Sequence, residues 1–390
     1  MASDRRHDID QLRSLAVLLL VPFHTARLFD VDPWHVKDLG RQPAADLVIG
    51  VLNVVQMPLL FALAGAAMVL SLERRSPGRF LTERVGRILV PLVAGILIVV
   101  PPQVWVERIS HGMPGRQSPI DWSGGYLEFY PRFFDCCYDH GNFSWHHLWF
   151  MVYLLVYSIV LLPVAGVAAR RFSAASAADR PWLGGWRVLL PILPLALIET
   201  FLRPRFGNTH ALAGDWANHA HYLLVTGLGA IVFVRPADRD EIRRTTGRLG
   251  GIALACGAAW LALRYGLPAP RIVRTTVRVA AEWFAILAFA GLAARFLARP
   301  LPVLGAFAPL SLAFYVVHQT IIVVAGWYWR DWSDTPFTKA AVIAGLTWGL
   351  GIAIAAAARL TPPTRFLLGL PAPRRASIPA RSADLGGRSV

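Results

Sequence analysis

The 390-residue chain is 55% hydrophobic and only 16% charged, well below the roughly 25% charged residues of an ordinary soluble domain, which argues against a soluble enzyme. Its 39 Lys plus Arg against 24 Asp plus Glu leave a net charge of +15. That excess suits either a nucleic-acid binder or a membrane protein, and the positions of the charges decide between them.

Apolar runs recur along the whole chain, at 15–29, 48–72, 88–101, 148–169, 188–201, 222–234, 249–263, 277–294, 306–329 and 340–358. A bilayer core about 30 Å thick needs roughly 20 residues of helix, and most of these runs reach that length with their flanks. The expected fold is an all-α polytopic bundle of about ten transmembrane helices. Asp4, Arg5, Arg6, Asp8, Asp10 and Arg13 precede the first run and no small-residue cleavage site follows it, so it reads as a retained membrane helix. Residues 1–360 form the membrane domain. The basic tail at 361–390, with Pro363, Pro371, Pro373, Pro379, Gly386 and Gly387 among arginines, lacks the apolar content to fold and is expected to be disordered.

Loops numbered alternately from the N-terminus put 25 Lys/Arg on the first side and 14 on the second; the acidic residues divide as 10 and 14, so the first side carries the entire excess. Lys and Arg set orientation, which places both termini in the cytoplasm. The basic excess is topology and anionic-lipid contact, and no nucleic-acid partner is expected. Three cysteines are too few for a disulfide framework. Cys136 and Cys137 read as free thiols in an outward loop, and Cys256 lies within a span. No metal-ligand spacing is present, and no bound metal is expected. The longest outward loop, 102–146, mixes ten aromatics with Asp121, Glu128, Asp135 and Asp139, which fits either a carbohydrate platform or an interfacial aromatic belt.

Ionisable groups inside a span are costly and mark functional sites by default. Asp10, Arg13 and His24 share one stripe of the first helix, because eleven residues at 100° end about 20° past three turns; His24 lies about 16 Å deeper than Arg13. Pro22 offers no N–H to the Leu18 carbonyl, so a bend is expected near the histidine. Arg84 and Arg87 share a face at the start of the third span and could grip phosphates or serve as positive-inside anchors. His146 and His147 stand where the aromatic loop enters the fourth span; adjacent helical residues diverge by about 100°, so they do not form a joint metal site. His318 lies mid-span in the ninth run, near Ser311 and Tyr315.

The run Ile9-Asp10-Gln11-Leu12-Arg13-Ser14-Leu15-Ala16 followed by Phe23-His24 resembles the opening helix of the acyltransferase-3 family of bacterial membrane acyltransferases, marked by an arginine, ten residues and a histidine. Arg84-Val85-Gly86-Arg87, His147-Leu148-Trp149-Phe150 and the set Ser311, Tyr315, His318 resemble three further family motifs, in order along the chain. One departure is Ala64-Gly65, where many members have Ser-Gly; the glycine still permits close helix packing. His24-Thr25-Ala26-Arg27 and Asp215-Trp216-Ala217-Asn218-His219-Ala220 look closest to the glucan-modifying branch.

The resemblance implies a multi-pass protein of the bacterial cytoplasmic (inner) membrane that transfers an acyl group from cytoplasmic acyl-CoA to a hydroxyl of a saccharide or other envelope molecule. The donor is a substrate, and no tightly bound cofactor is implied. His24 would act as general base or acyl carrier; Arg13 would neutralise donor phosphate or hold the thioester carbonyl, with Asp10 orienting Arg13. Arg84 and Arg87 would hold the donor phosphates, and His147, Trp149, His318 and Tyr315 the acceptor. A transporter or flippase of an envelope glycan or lipid precursor is the alternative. Transporters usually carry repeated halves, and residues 1–190 and 200–390 show no convincing similarity.

Overall fold

The structure, a computed structural model, describes residues 6–110, 115, 119–138 and 140–371. It is an all-helical bundle, and every one of the ten apolar runs lies in a helix. Among the described residues, eight helices are long and apolar enough to cross a membrane alone: Pro43–Leu72, Pro77–Ile109, Gly185–Phe206, Trp216–Val234, Pro236–Tyr265, Arg271–Phe296, Pro302–Tyr328 and Pro336–Ala357. A ninth crossing is the pair His146–Val160 and Leu162–Ser173, bent by 69° where Pro163 removes a backbone donor. The first run is also broken, into His7–Leu18 and Leu20–Ala26. Neither piece alone spans a bilayer, so of the ten expected crossings the described residues give eight single helices and a ninth as the bent pair, while the first run is a broken helix.

Proline sets several helix starts. Pro43, Pro77, Pro236, Pro302 and Pro336 each stand in the first turn of a span, where the missing N–H costs no helical bond. The Ser76 and Thr335 side chains accept from the Arg79 and Thr338 amides and cap two of these helices. In the first run, the Leu18 carbonyl freed by Pro22 accepts instead from the Trp348 indole N–H at 3.2 Å. A satisfied carbonyl is what allows the break at Leu19 to persist inside the bundle.

Small residues bring the second and sixth spans into backbone contact. A Cβ added at Gly65 would fall 1.8 Å from the Thr226 carbonyl oxygen, and one at Gly229 would fall 2.0 Å from that of Ala62. Van der Waals packing drives helix association in lipid, so only glycine permits this crossing. Beside it runs a buried ionic network. His221 bridges Glu199 at 3.0 Å and Glu282 at 2.7 Å, while Arg278 and Arg203 reach Glu199 at 2.8 and 2.7 Å. These charges tie the fifth, sixth and eighth spans together.

Beyond the expected boundary at 360, Thr361 caps a short helix Pro362–Leu367, and Leu370 is buried against the bundle. The tail from residue 372, and Asp139 of the aromatic loop, lie outside the described residues. Cys136 and Cys137, expected as free thiols, are instead paired sulfur to sulfur. They sit in a tight turn closed by the Gly141 N–H donating to the Cys137 carbonyl.

Replacing Gly65 with alanine is expected to cost at least about 1–3 kcal/mol through overpacking. Thermal unfolding in detergent checks this: the Gly65→Ala midpoint should fall by several degrees, and an unchanged midpoint would contradict the backbone contact.

Candidate active site

Two polar cavities occupy opposite ends of the bundle. One, of about 340 Å³, lies by the connection between the second and third spans and is lined by Arg6, Asp10, Arg13, Arg74, Arg75, Glu83, Arg84 and Arg87 among apolar residues. Six arginines face two carboxylates, a formal excess of +4. Arg13 contacts Asp10 at 3.1 Å, and Arg75 and Arg79 contact Glu83 at 2.8 and 3.2 Å. Arg84 stacks over Phe80 with its guanidinium carbon 4.9 Å from the ring centre. The third span passes through a π-helical turn at Val85–Leu89, which carries Arg87.

The second cavity, of about 500 Å³, opens among the loops at the other end. Its wall includes His24, Arg27, Asp32, Trp34, His35, Gln56, His146, His147, Trp149, His210, Tyr222 and Tyr315. The helix containing Arg13 and His24 connects the two cavities, which share no lining residue. Sequence spacing puts Asp10, Arg13 and His24 on one stripe. The structure divides them, with Asp10 and Arg13 in the arginine cavity and His24 in the other. They do not form one constellation, because about 16 Å of helix rise and the break at Leu19 intervene.

The direct partner of His24 is His318. Its Nδ1 lies 3.0 Å from the Leu20 carbonyl and 3.1 Å from His318 Nε2, while His318 Nδ1 lies 2.6 Å from the Tyr315 carbonyl. A carbonyl can only accept, so both Nδ1 atoms carry the hydrogens. His318 Nε2 then accepts a share of the His24 Nδ1–H. His24 Nε2 is thereby the unprotonated nitrogen, and it has no hydrogen-bond partner among the described residues. A half-buried imidazole in this tautomer, facing a polar cavity, can take a proton or form a bond at Nε2.

His147 and Tyr315 hold one another through backbone groups. His147 Nε2–H donates to the Val316 carbonyl at 2.9 Å, and the Tyr315 hydroxyl donates to the His147 carbonyl. His318 is fully buried behind His24 rather than on the cavity wall, so it positions His24. Trp149 stacks on His210 with ring centres 4.2 Å apart. The loop carrying His210 is braced by Asp215, whose carboxylate accepts from the His210 amide at 2.9 Å, the Tyr153 hydroxyl at 2.5 Å and Asn218 at 2.7 Å.

Several wall residues have no sequence signal of their own. Trp34, His35, Gln56, His210 and Tyr222 come from four separate segments and meet only in the fold. Of the loop's described Trp, Tyr and Phe residues, only Tyr138 and Trp145 line the cavity, beside Ser144 and His146; Tyr126, Tyr130, Phe133 and Phe134 pack mainly on one another. Where sequence spacing shows no metal ligands, the fold gathers His35, Glu107 and His146, with one ligand atom from each within 4.8 Å of the others.

Burial holds the His210 imidazole down at about 4, opposed by Asp215 and assisted by Arg203. The unfolded chain, with a histidine near 6.5, binds this proton first. Stability from His210 is therefore lost as pH falls from about 6.5 towards 4. The unfolding midpoint should drop between pH 7 and pH 5, by less in His210→Asn; equal drops in both proteins would contradict the burial of a neutral ring.

Comparison with known proteins gives two results. Residues 6–358 match the family described as "Acyltransferase domain". "Glucans biosynthesis protein C" of Escherichia coli (strain K12) is 22% identical over 157 residues, 40% of this chain and 37% of that protein. The protein of that name from Salmonella schwarzengrund (strain CVM19633) is 22% identical over 163 residues, 41% and 39% of the two chains. The alignments thus span well under half the length of these relatives.

Proposed function

The chain belongs to the acyltransferase-3 family, whose domain covers residues 6–358, and from that premise we propose that it is a membrane O-acyltransferase. It moves an acyl group from acyl-CoA to a hydroxyl of a saccharide or other envelope molecule. The observation that carries this reading is the pair of cavities strung on one helix, arginine-rich at one end and histidine-lined at the other.

The arginine cavity suits the donor's diphosphate and phosphomonoester, which guanidinium groups bind through charge-assisted, bidentate hydrogen bonds. The excess of Lys and Arg on the loops of the same side supports a cytoplasmic assignment for that face, and with it both termini. A pantetheine arm extending along the first helix would carry the thioester towards His24. The second cavity offers Trp149, Trp34 and Tyr222 as flat apolar faces beside Asp32, Gln56 and Arg27, a combination that suits sugar rings and their hydroxyls. The name of the glucan-biosynthesis relatives adds to the case for a saccharide acceptor.

In the chemical step, His24 Nε2 accepts the proton of the acceptor hydroxyl as its oxygen attacks the thioester carbonyl. A C–O bond forms, the C–S bond breaks, and the proton returns to the leaving thiolate. His318 keeps Nε2 the basic atom by occupying Nδ1–H. A transport function fits less well, because transporters usually carry repeated halves and residues 1–190 and 200–390 show no convincing similarity.

Transfer of labelled acyl groups from acyl-CoA by purified protein tests the reading. His24→Asn should lower turnover by about 10²–10⁴-fold with donor binding retained, whereas a folded variant with full activity would remove His24 from the mechanism. Arg84→Gln and Arg87→Gln should each weaken donor binding by about ten- to a hundredfold, the equivalent of losing a charged hydrogen bond. Unchanged donor affinity in both would remove the arginine cavity from the donor site.

A further inference from the structure

The set of buried His35 and Glu107 with half-buried His146 stands beside the histidine-lined cavity but is not used by the acyl-transfer chemistry. We propose that it is a binding site for one divalent transition-metal ion, with zinc the best match. His35 comes from the loop after the first helix, Glu107 from the end of the third span, and His146 from the entry to the fourth. No two are close in sequence, yet His35 Nδ1 lies 3.1 Å from Glu107 Oε2, and the His35 and His146 ring centres are 4.3 Å apart.

Two independent features point to a ligand. Among the described residues, His146 Nε2 is fully buried and has no hydrogen-bond partner, although a buried ring nitrogen normally finds one. Its Nδ1 is held by Ser144 at 3.0 Å, which fixes the ring with Nε2 aimed inward. The backbone of His146 has φ of +41°, a left-handed conformation that a residue other than glycine adopts only when its surroundings demand it.

The donor chemistry selects the metal. Two imidazoles and a carboxylate are a set that binds zinc with a fourth position left open. Ligand atoms around tetrahedral zinc lie about 3.4 Å apart, given bonds of about 2.0–2.1 Å; a spread of 4.8 Å closes to this with movements of roughly an ångström. The second Glu107 oxygen accepts from the Tyr138 hydroxyl at 2.9 Å, the outer support that metal-bound carboxylates usually have. Arg108 lies 3.7 Å from Glu107 and is also held by Asn142 and the Gly141 carbonyl. Its charge opposes any cation, so the site favours a metal bound through nitrogen over calcium or magnesium, which rely on oxygen ligands. His35 and His146 both line the cavity, so the open position would face the proposed acceptor space.

The test is metal content, independent of acyl transfer. Full-length protein purified without a histidine tag or chelator should carry about one zinc per chain. After metal removal, zinc should rebind, and cobalt(II) should give the absorption of a low-coordinate site with nitrogen ligands. His146→Gln should weaken zinc binding at least tenfold. A wild-type protein that neither retains nor rebinds zinc would overturn the proposal, as would zinc bound equally well by His146→Gln. Should that variant fail to fold, the cobalt spectrum of the wild type decides alone: nitrogen ligation upholds the site, and its absence overturns it.

Discussion

The hydrogen bond between His318 and His24 is the interaction on which the geometry of the candidate active site depends. An imidazole in a membrane bundle can present either nitrogen, and chemistry at one nitrogen requires the other to be committed. Here the Leu20 and Tyr315 carbonyls, each 2.6–3.0 Å from an Nδ1, commit both rings. Of these two rings, the relay leaves one basic atom facing the cavity, His24 Nε2. His24 is held on the first helix and His318 on the ninth span, so the geometry exists only while those two elements are packed together.

That packing rests on backbone accounting within the membrane. Pro22 removes a donor and the first helix breaks at Leu19; Trp348 of the tenth span supplies the missing N–H. The break lets the lower piece present Arg13 to one cavity and the upper piece present His24 to the other. Around it, Gly65 and Gly229 bring neighbouring helices to backbone contact, and the Glu199, His221, Glu282 and Arg278 network ties the sixth span to the fifth and eighth. Each buried charge in that network has an opposite partner, as burial in a low-dielectric interior requires.

Much of this was legible in the sequence, for identifiable reasons. Hydropathy is a one-dimensional signal, so all ten helical segments could be read from it. The arginine pair Arg84 and Arg87 and the histidines at 24, 147 and 318 carried recognisable spacing. Helical periodicity alone put Asp10, Arg13 and His24 on a common stripe, but a stripe gives direction and not proximity, and the fold assigns them to different cavities. Trp34, His35, His210 and Tyr222 were not legible because each is an ordinary residue until loops from separate segments converge. His146 shows the limit most clearly: its neighbour His147 suggested a pair that helix geometry forbids, whereas its companions in the fold, His35 and Glu107, lie far away in sequence.

The central claim is that donor and acceptor enter from opposite ends of the bundle and meet at His24. Sealed proteoliposomes of uniform protein orientation test it most directly, with labelled acyl-CoA confined to one compartment and a saccharide acceptor to the other. The account predicts acylated acceptor only when the donor is on the side of Arg13, Arg84 and Arg87 and the acceptor on the side of His24 and Trp149. Equal product in the reversed arrangement, or product only when both substrates share one compartment, would contradict it.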